Sequence, residues 1–288
     1  MNATEEAVVF DCAGSKLVGI LHHATCTSAM MRRVVVVNVV GGPQYRVGSH
    51  RQFALTSRYL SANGYPSFRF DYRGIGDSDG AVRTFESVAE DIDSALGVVR
   101  ERFPEHSIVL MGLCDGASAI LMQPDFDGSV AGIVLTNPWV RTESSMARTY
   151  TRHYYRERLF SPDFWKKLLT LRWDFKSSIA SAVGNVRRSS QAAEAPSFIS
   201  RMNRGFSKAD VPLLVALSEH DLTAREFEDL TRSDRVWAEL MKRPNVRLSR
   251  FVGADHTFSS TGTLGQFNSA LVEWLGEISP VADRGATP

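Results

Sequence analysis

"MGLCDGAS", Met111 to Ser118, is the stretch that decides how this chain folds. Gly112-Leu113-Cys114-Asp115-Gly116 has the form G-x-C-x-G. The apolar run Ser107–Met111 before it has the composition of a buried strand, and the residues after it open a helix. A side chain on so sharp a strand-to-helix turn is pushed into a strained, exposed position. Glycines two residues to either side let neighbouring backbone approach closely. The helix that follows aims its positive end at the turn, which favours thiolate over thiol. The backbone N–H of Asp115 is placed to help hold a developing oxyanion. A lone cysteine also serves as a small buried packing residue, so the rest of the chain has to decide between the two roles.

A nucleophile needs a base, and the base needs an acid to orient it. For a strand–turn–helix nucleophile the expected chain order is nucleophile, acid, histidine. "LLVALSEHDLT" supplies Asp221 just past an apolar run, and "RLSRFVGADHTF" supplies His256 just past the next one. Both fall where parallel strands end at their carboxyl termini, the edge along which ligand crevices form in open sheets. The other histidines fit less well. His220 adjoins Asp221, His106 begins a run, His22 and His23 sit in an early hairpin region, and His153 lies in a basic span. His50 follows a glycine loop and is a candidate supporting residue. That loop, "VVGGPQYRVGSH", follows the run at 34–40 and offers a second oxyanion donor. Gly42 is the first choice and Gln44 the fallback, because Pro43 has no N–H.

Short β-branched runs recur along the chain: Val34–Val40, Ser67–Asp71, Ser107–Met111, Gly132–Thr136, Pro212–Leu217 and Val246–Val252. Each is apolar at nearly every position, which predicts a sheet covered on both faces. Segments of helical period alternate with them. Phe85, Val88, Ile92, Leu96, Val99 and Phe103 share one face, as do Leu264, Phe267, Leu271, Trp274, Leu275 and Ile278. Alternation of this kind predicts a doubly wound, mainly parallel α/β sheet. "EAVVFDC" and "KLVGILHH" alternate more and predict an antiparallel edge hairpin. The tail "SPVADRGATP" reads as frayed.

The rhythm breaks between Arg141 and Lys208, where no strand pattern is found. Ser161-Pro162 reads as an N-cap and first helical position opening "DFWKKLLTL". The span 141–208 is therefore predicted to be a helical insertion, with residues 1–140 and 209–288 forming the core. It carries 14 Lys and Arg against five Asp and Glu, and the remainder of the chain carries 19 against 27. A formal net charge of +1 thus conceals a basic insertion on an acidic base. Such a patch attracts anionic partners. The near-neutral total and the lack of a recognised binding motif argue against nucleic acid.

The three cysteines, at 12, 26 and 114, have no CxxC spacing, so neither a disulfide framework nor a zinc site is predicted. No metal or cofactor is called for. The first residues lack a basic n-region, and the longest apolar run, "VVVVNVV", is far shorter than the ~20 residues of a spanning helix. A cytoplasmic location is the expectation.

With Cys114, Asp221 and His256 in this order, the chain resembles the α/β-hydrolases. "FDYRGIGDSDG", Phe70 to Gly80, resembles their D-x-R-G-x-G-x-S loop, which makes Asp71, Arg73, Gly74, Gly76 and Ser78 structural residues by that likeness. The resemblance runs from Val8 to about Ile278 except for the basic insertion, which matches only the position of the family's lid. More narrowly, "GGPQYRVGSHRQF", "FDYRGIGDSDG" and "GLCDGAS" resemble the exosortase A system-associated hydrolases, a bacterial group linked to exopolysaccharide gene clusters. Cysteine where serine is usual is similar to dienelactone hydrolases, polyester synthases and some carrier-bound thioesterases.

Cysteine changes the chemistry to expect. Its acyl-enzyme is a thioester, and loading it from another thioester is close to isoenergetic. An acyl hydrolase or acyltransferase acting on acyl-CoA or an acidic acyl-carrier protein is therefore the expected function. A dienelactone-type hydrolase or a non-catalytic binding protein is the alternative. Arg148, Arg152, Arg156 and Arg158 are candidates for holding the phosphates of such donors, with Tyr150 and Tyr154 as candidate walls of an acyl pocket.

Overall fold

The structure is a computed structural model that describes residues 5–25, 32–42, 44–123, 126, 128–141 and 197–278. The early hairpin is β1 (Glu5–Cys12) and β2 (Ser15–His22). β3 (Val34–Val39), β4 (Ser67–Phe70), β5 (Ser107–Leu113), β6 (Val130–Thr136), β7 (Leu213–Ser218) and β8 (Val246–Phe251) follow. The helices are α1 (Gln52–Ala62), α2 (Ala89–Arg102), α3 (Asp115–Leu121), α4 (Phe198–Lys208), α5 (Leu222–Ser233), α6 (Arg235–Leu240) and α7 (Thr261–Ile278). The eight strands form one sheet in the order β1-β2-β4-β3-β5-β6-β7-β8. β1 and β2 pair antiparallel, as do β2 and β4, and every later pairing is parallel. This is the α/β-hydrolase fold.

The β-branched runs explain the sheet. Val34 to Val39 is buried at every position because side chains alternate between two covered faces. Val35, Val37 and Val39 join one core with Phe68, Ile92 and Leu110. Val34 and Val36 join the other, with Leu60, Trp274 and Leu275. Each fully buried Leu, Val or Phe contributes about 1.5–3 kcal/mol relative to exposure. On the second face α1 lies along α7, where Thr56 Oγ1 donates to Asn268 Oδ1 at 2.8 Å.

β8 departs from the expectation of cover on both faces. Only Phe251 is buried in it. It is the sheet's last strand, and its outward residues are ionic: Arg247 pairs with Glu273 and Glu277 of α7, and Arg250 with Glu228 of α5. Charged side chains on an edge discourage further strand pairing.

The chain divides into two units, Met1–Val140 with Phe198–Pro288, and Arg141–Ser197. The expected insertion, 141–208, thus loses α4 to the core. Met202 and Phe206 of α4 are buried there, and Gly205 lies against Leu121 of α3.

The Asp71–Gly80 loop acts as a clamp. Asp71 is fully buried. Its Oδ1 accepts from Arg46 N at 2.6 Å, and its Oδ2 takes the Arg46 guanidinium and, at 3.1 Å, the N–H of Asp77. Ser78 Oγ accepts from Val18 N at 2.9 Å and donates to Asp71 O at 2.9 Å. Arg73 grips Asp91 of α2 through Nε and a terminal nitrogen, the latter at 2.8 Å. Held through Arg46, the loop after β3 is fixed where it leaves the sheet.

Candidate active site

The sheet order reverses direction at β3. β4 lies on one side of it and β5 on the other, so the carboxyl ends of β3 and β5 flank a topological switch point. Gly41 and Gly42 leave β3 there, and Cys114 leaves β5.

Cys114 adopts φ 59° and ψ −125°, a conformation that L residues rarely accept. Its backbone is pinned on both sides. Its N–H donates to Thr136 O at 2.9 Å, and its carbonyl accepts from Ala117 N at 3.1 Å and Trp139 N at 3.2 Å. Strain of this kind persists only where the surroundings over-determine it, and it costs about 1–3 kcal/mol. The flanking glycines are a packing requirement. A Cβ on Gly112 would sit 2.6 Å from Ala117 N, and one on Gly116 would sit 2.7 Å from Val40 O. Strand and helix can approach this closely only without those side chains, and the thiol at the apex stays half-buried.

Asp221 follows β7 and caps α5. Its carboxylate accepts from Thr223 N and Ala224 N, both at 3.1 Å, and its Oδ2 lies 2.9 Å from His256 Nδ1. His256 follows β8. Its loop is shaped by Asp255, whose Oδ1 accepts from Thr257 N at 3.2 Å and Ser259 N at 2.9 Å. Burial works against protonating His256. The Asp221 carboxylate and the Cys114 side chain, both in hydrogen-bonding contact with the ring, outweigh it and raise the pKa to about 10. Nδ1 is the ring nitrogen taken by Asp221. The structure therefore brings His256 and Asp221 into contact, with Cys114 near enough to act on the ring, although the sequence separates them widely.

Asn137, at the end of β6, was not singled out from the sequence. It is fully buried at φ 45°. Its Nδ2 donates to Ser218 Oγ and His256 O, both at 3.0 Å, and its Oδ1 accepts from Ser218 N at 2.8 Å. It joins the ends of β6 and β7 to the histidine loop. The Asn-Pro pair at 137–138 was a turn signal at a strand end, but nothing in it pointed to a tie.

Gly42 N–H donates to Asp115 Oδ1 in a short hydrogen bond, so in this structure the amide is engaged by that carboxylate. Gly42 takes φ +61°, which turns its N–H towards the helix start where the Asp115 carboxylate stands. Gln44, the fallback, uses its Oε1 to accept from Ser49 N at 3.3 Å within its own loop. His50 is exposed at φ 53° and faces the charge of Asp255, so it belongs to the margin of the histidine loop. Arg148, Arg152, Arg156, Arg158, Tyr150 and Tyr154 lie outside the described residues. Among the described residues, no helix is long and apolar enough to cross a membrane, and no three His, Cys, Asp or Glu side chains gather as a metal site.

A mainly parallel sheet of this order, with a strained residue on the turn from β5 to α3 and an acid and a histidine past β7 and β8, defines an α/β-hydrolase. The chain belongs to the family described as serine aminopeptidase, S33, whose match spans residues 45–256. Solved structures agree on the fold. Pf2001, an esterase of Pyrococcus furiosus, has a TM-score of 0.64 and 17% identity over 96% of this chain and 91% of its own. GrgF of Penicillium sp. sh18, described as an α/β hydrolase, has 0.63 and 18% over 95% and 98%. XC6422 of Xanthomonas campestris, described as an a/b serine hydrolase without lid, has 0.59 and 16% over 100% and 99%. No curated protein matches the chain in sequence. The family's name carries serine, whereas position 114 of this chain is cysteine.

Proposed function

We propose that this protein is an acyl hydrolase or acyltransferase that works through a thioester at Cys114, with His256 as its proton carrier and Asp221 as the group that orients it. The observation behind this reading is the 2.9 Å contact between His256 Nδ1 and Asp221 Oδ2, with the strained Cys114 near enough to raise the His256 pKa. Attack requires the thiolate form of Cys114, with the proton held on His256. Sγ attacks the acyl carbon and forms a C–S bond, and the carbonyl oxygen becomes an oxyanion. As the oxyanion collapses, the bond to the leaving group breaks, and His256 gives that group its proton. Water or an acceptor hydroxyl or amine then attacks the thioester and returns a proton to His256. Sγ leaves as thiolate and the resting pair is restored. Asp221 holds the tautomer and balances the ring's positive charge throughout.

Thioester donors suit this cycle because one thioester replaces another. The basic span 141–208 adds attraction for the phosphates of acyl-CoA or for an acidic carrier protein. Family membership and the esterase name of Pf2001 support acyl-bond cleavage in the broader sense. The loop likeness to the exosortase A system-associated hydrolases is in keeping with it.

The test is intact-protein mass after mixing with a panel of acyl thioesters and oxygen esters. Wild type is expected to gain one acyl mass, most readily from the thioesters. Cys114→Ala is expected to gain none and to lose turnover. Equal turnover by the alanine variant would overturn the proposal.

A further inference from the structure

We propose that the Asp115 side chain is a latch on the oxyanion site, holding the Gly42 N–H until acylation requires it. The inference rests on the acyl-enzyme reading above. Asp115 contributes its own N–H beside the nucleophile, and its Oδ1 takes the N–H of Gly42 from the loop opposite. The two amides that converge from the ends of β3 and β5 are thus bridged by a carboxylate belonging to one of them. Space has been left for that carboxylate. A Cβ on Gly41 would collide with Asp115 Oδ1 and with the Leu113 carbonyl oxygen, so the first glycine of the pair keeps the bridge possible.

An oxyanion formed at Cys114 would develop next to this carboxylate. Two negative charges in one half-buried site oppose each other strongly. The oxyanion needs Gly42 N–H, and the carboxylate holds it. Acylation therefore requires Asp115 either to swing away or to take up a proton. Burial, the largest influence on the group, pushes its pKa above the ordinary carboxylate value. The N–H groups of Gly42, Gly116 and Asp115 itself, and the charge of His256, pull the other way, and the net direction is upward. The groups facing Asp115 are Gly42 on the β3 loop, Gly116 on its own helix, His256 after β8 and Tyr72 after β4. Tyr72 is wholly buried, and its hydroxyl donates to Val40 O at the root of the same loop.

The consequence is specific to acyl transfer. Alkylation of Cys114 by iodoacetamide forms no oxyanion and does not need Gly42. Acylation does. A variant without the charge gains acylation rate, and the gain grows with pH because only wild type carries the extra negative charge there. Because the Asp115 charge also acts on His256, each acylation ratio is divided by the alkylation ratio of the same variant, which removes changes in the Cys114–His256 pair itself.

The experiment compares wild type, Asp115→Asn and Asp115→Ala. It measures acylation by a short uncharged thioester and alkylation by iodoacetamide, from about pH 5 to about pH 8.5, with the asparagine variant keeping the shape of the site. Both variants are expected to acylate faster than wild type at the alkaline end, by on the order of tenfold. The acylation ratio, corrected by the alkylation ratio, should be smaller at the acid end than at the alkaline end. Acylation equal to or slower than wild type at every pH, with wild type itself acylated, overturns the latch and leaves the acyl-enzyme reading standing. No acyl adduct on wild type or on either variant overturns the acyl-enzyme reading, and the latch falls with it.

Discussion

His256 sits between a carboxylate and a sulfur, and both favour its charged form strongly enough to hold its pKa at about 10 against an ordinary value of 6.5. A pKa raised on folding means that the protonated ring stabilises the folded chain. The sign follows directly. The contribution is complete below about pH 6.5, where the ring is protonated whether the chain is folded or not. It shrinks as pH climbs and is lost as pH passes through about 10, where the folded ring gives up its proton. Urea midpoints taken between neutral pH and about pH 10 should therefore fall in wild type and fall less in His256→Ala. Parallel slopes in the two proteins would show that the ring titrates near its ordinary value. The pairing of Asp221 with His256 was legible in the sequence. Cys114, Asp221 and His256 each follow an apolar run and come in a fixed order. The bond from Gly42 to the Asp115 carboxylate was not legible, because a sequence does not show where a side chain turns.

At the scale of elements, the site depends on loops being tied to each other across the carboxyl ends of β6, β7 and β8. Asn137 makes that tie with three hydrogen bonds. Asn137→Ala leaves the Ser218 N–H and the His256 carbonyl without their partner and places alanine at φ 45°, a conformation asparagine tolerates better. An unpaired buried group costs about 1–3 kcal/mol, and the loss should appear as a lower unfolding midpoint. Because the bond to His256 O positions the ring, the acylation rate should also fall at least about tenfold under conditions where the variant is fully folded. A variant that is less stable but acylates normally would show that Asn137 supports the fold and not the site. The strands were legible from their apolar runs, and their observed limits differ by only a few residues. Helix α4 was misplaced for a definite reason. Phe198, Met202 and Phe206 recur every four residues, a helical stripe, but they were grouped with the basic residues around them. Composition masked periodicity, and the short approach of Gly205 to Leu121 exists only in three dimensions.

Across the whole molecule, the single reversal of strand order puts the ends of β3 and β5 side by side, and the remaining parallel strands deliver Asp221 and His256 to the same edge. The fold was legible because the inner strands β3 to β7 repeat the same buried composition, from which β8 departs. Charge is a second property of the whole chain. Fourteen basic residues against five acidic ones between 141 and 208, on a chain of net charge +1, separate the signs along the sequence. If that span draws in phosphate-bearing donors, the effect is electrostatic and must weaken as salt shortens the Debye length, from about 10 Å at 0.1 M to about 3 Å at 1 M. The second-order rate with acyl-CoA should therefore drop by on the order of tenfold over that range, whereas the rate with a short uncharged thioester should hardly move. Replacing Arg148, Arg152, Arg156 and Arg158 together by glutamine should flatten the acyl-CoA response and leave the uncharged substrate's rate in place. An acyl-CoA rate indifferent to salt would separate the basic span from substrate capture. A salt response unchanged in the fourfold variant would assign the attraction to other cations of the chain.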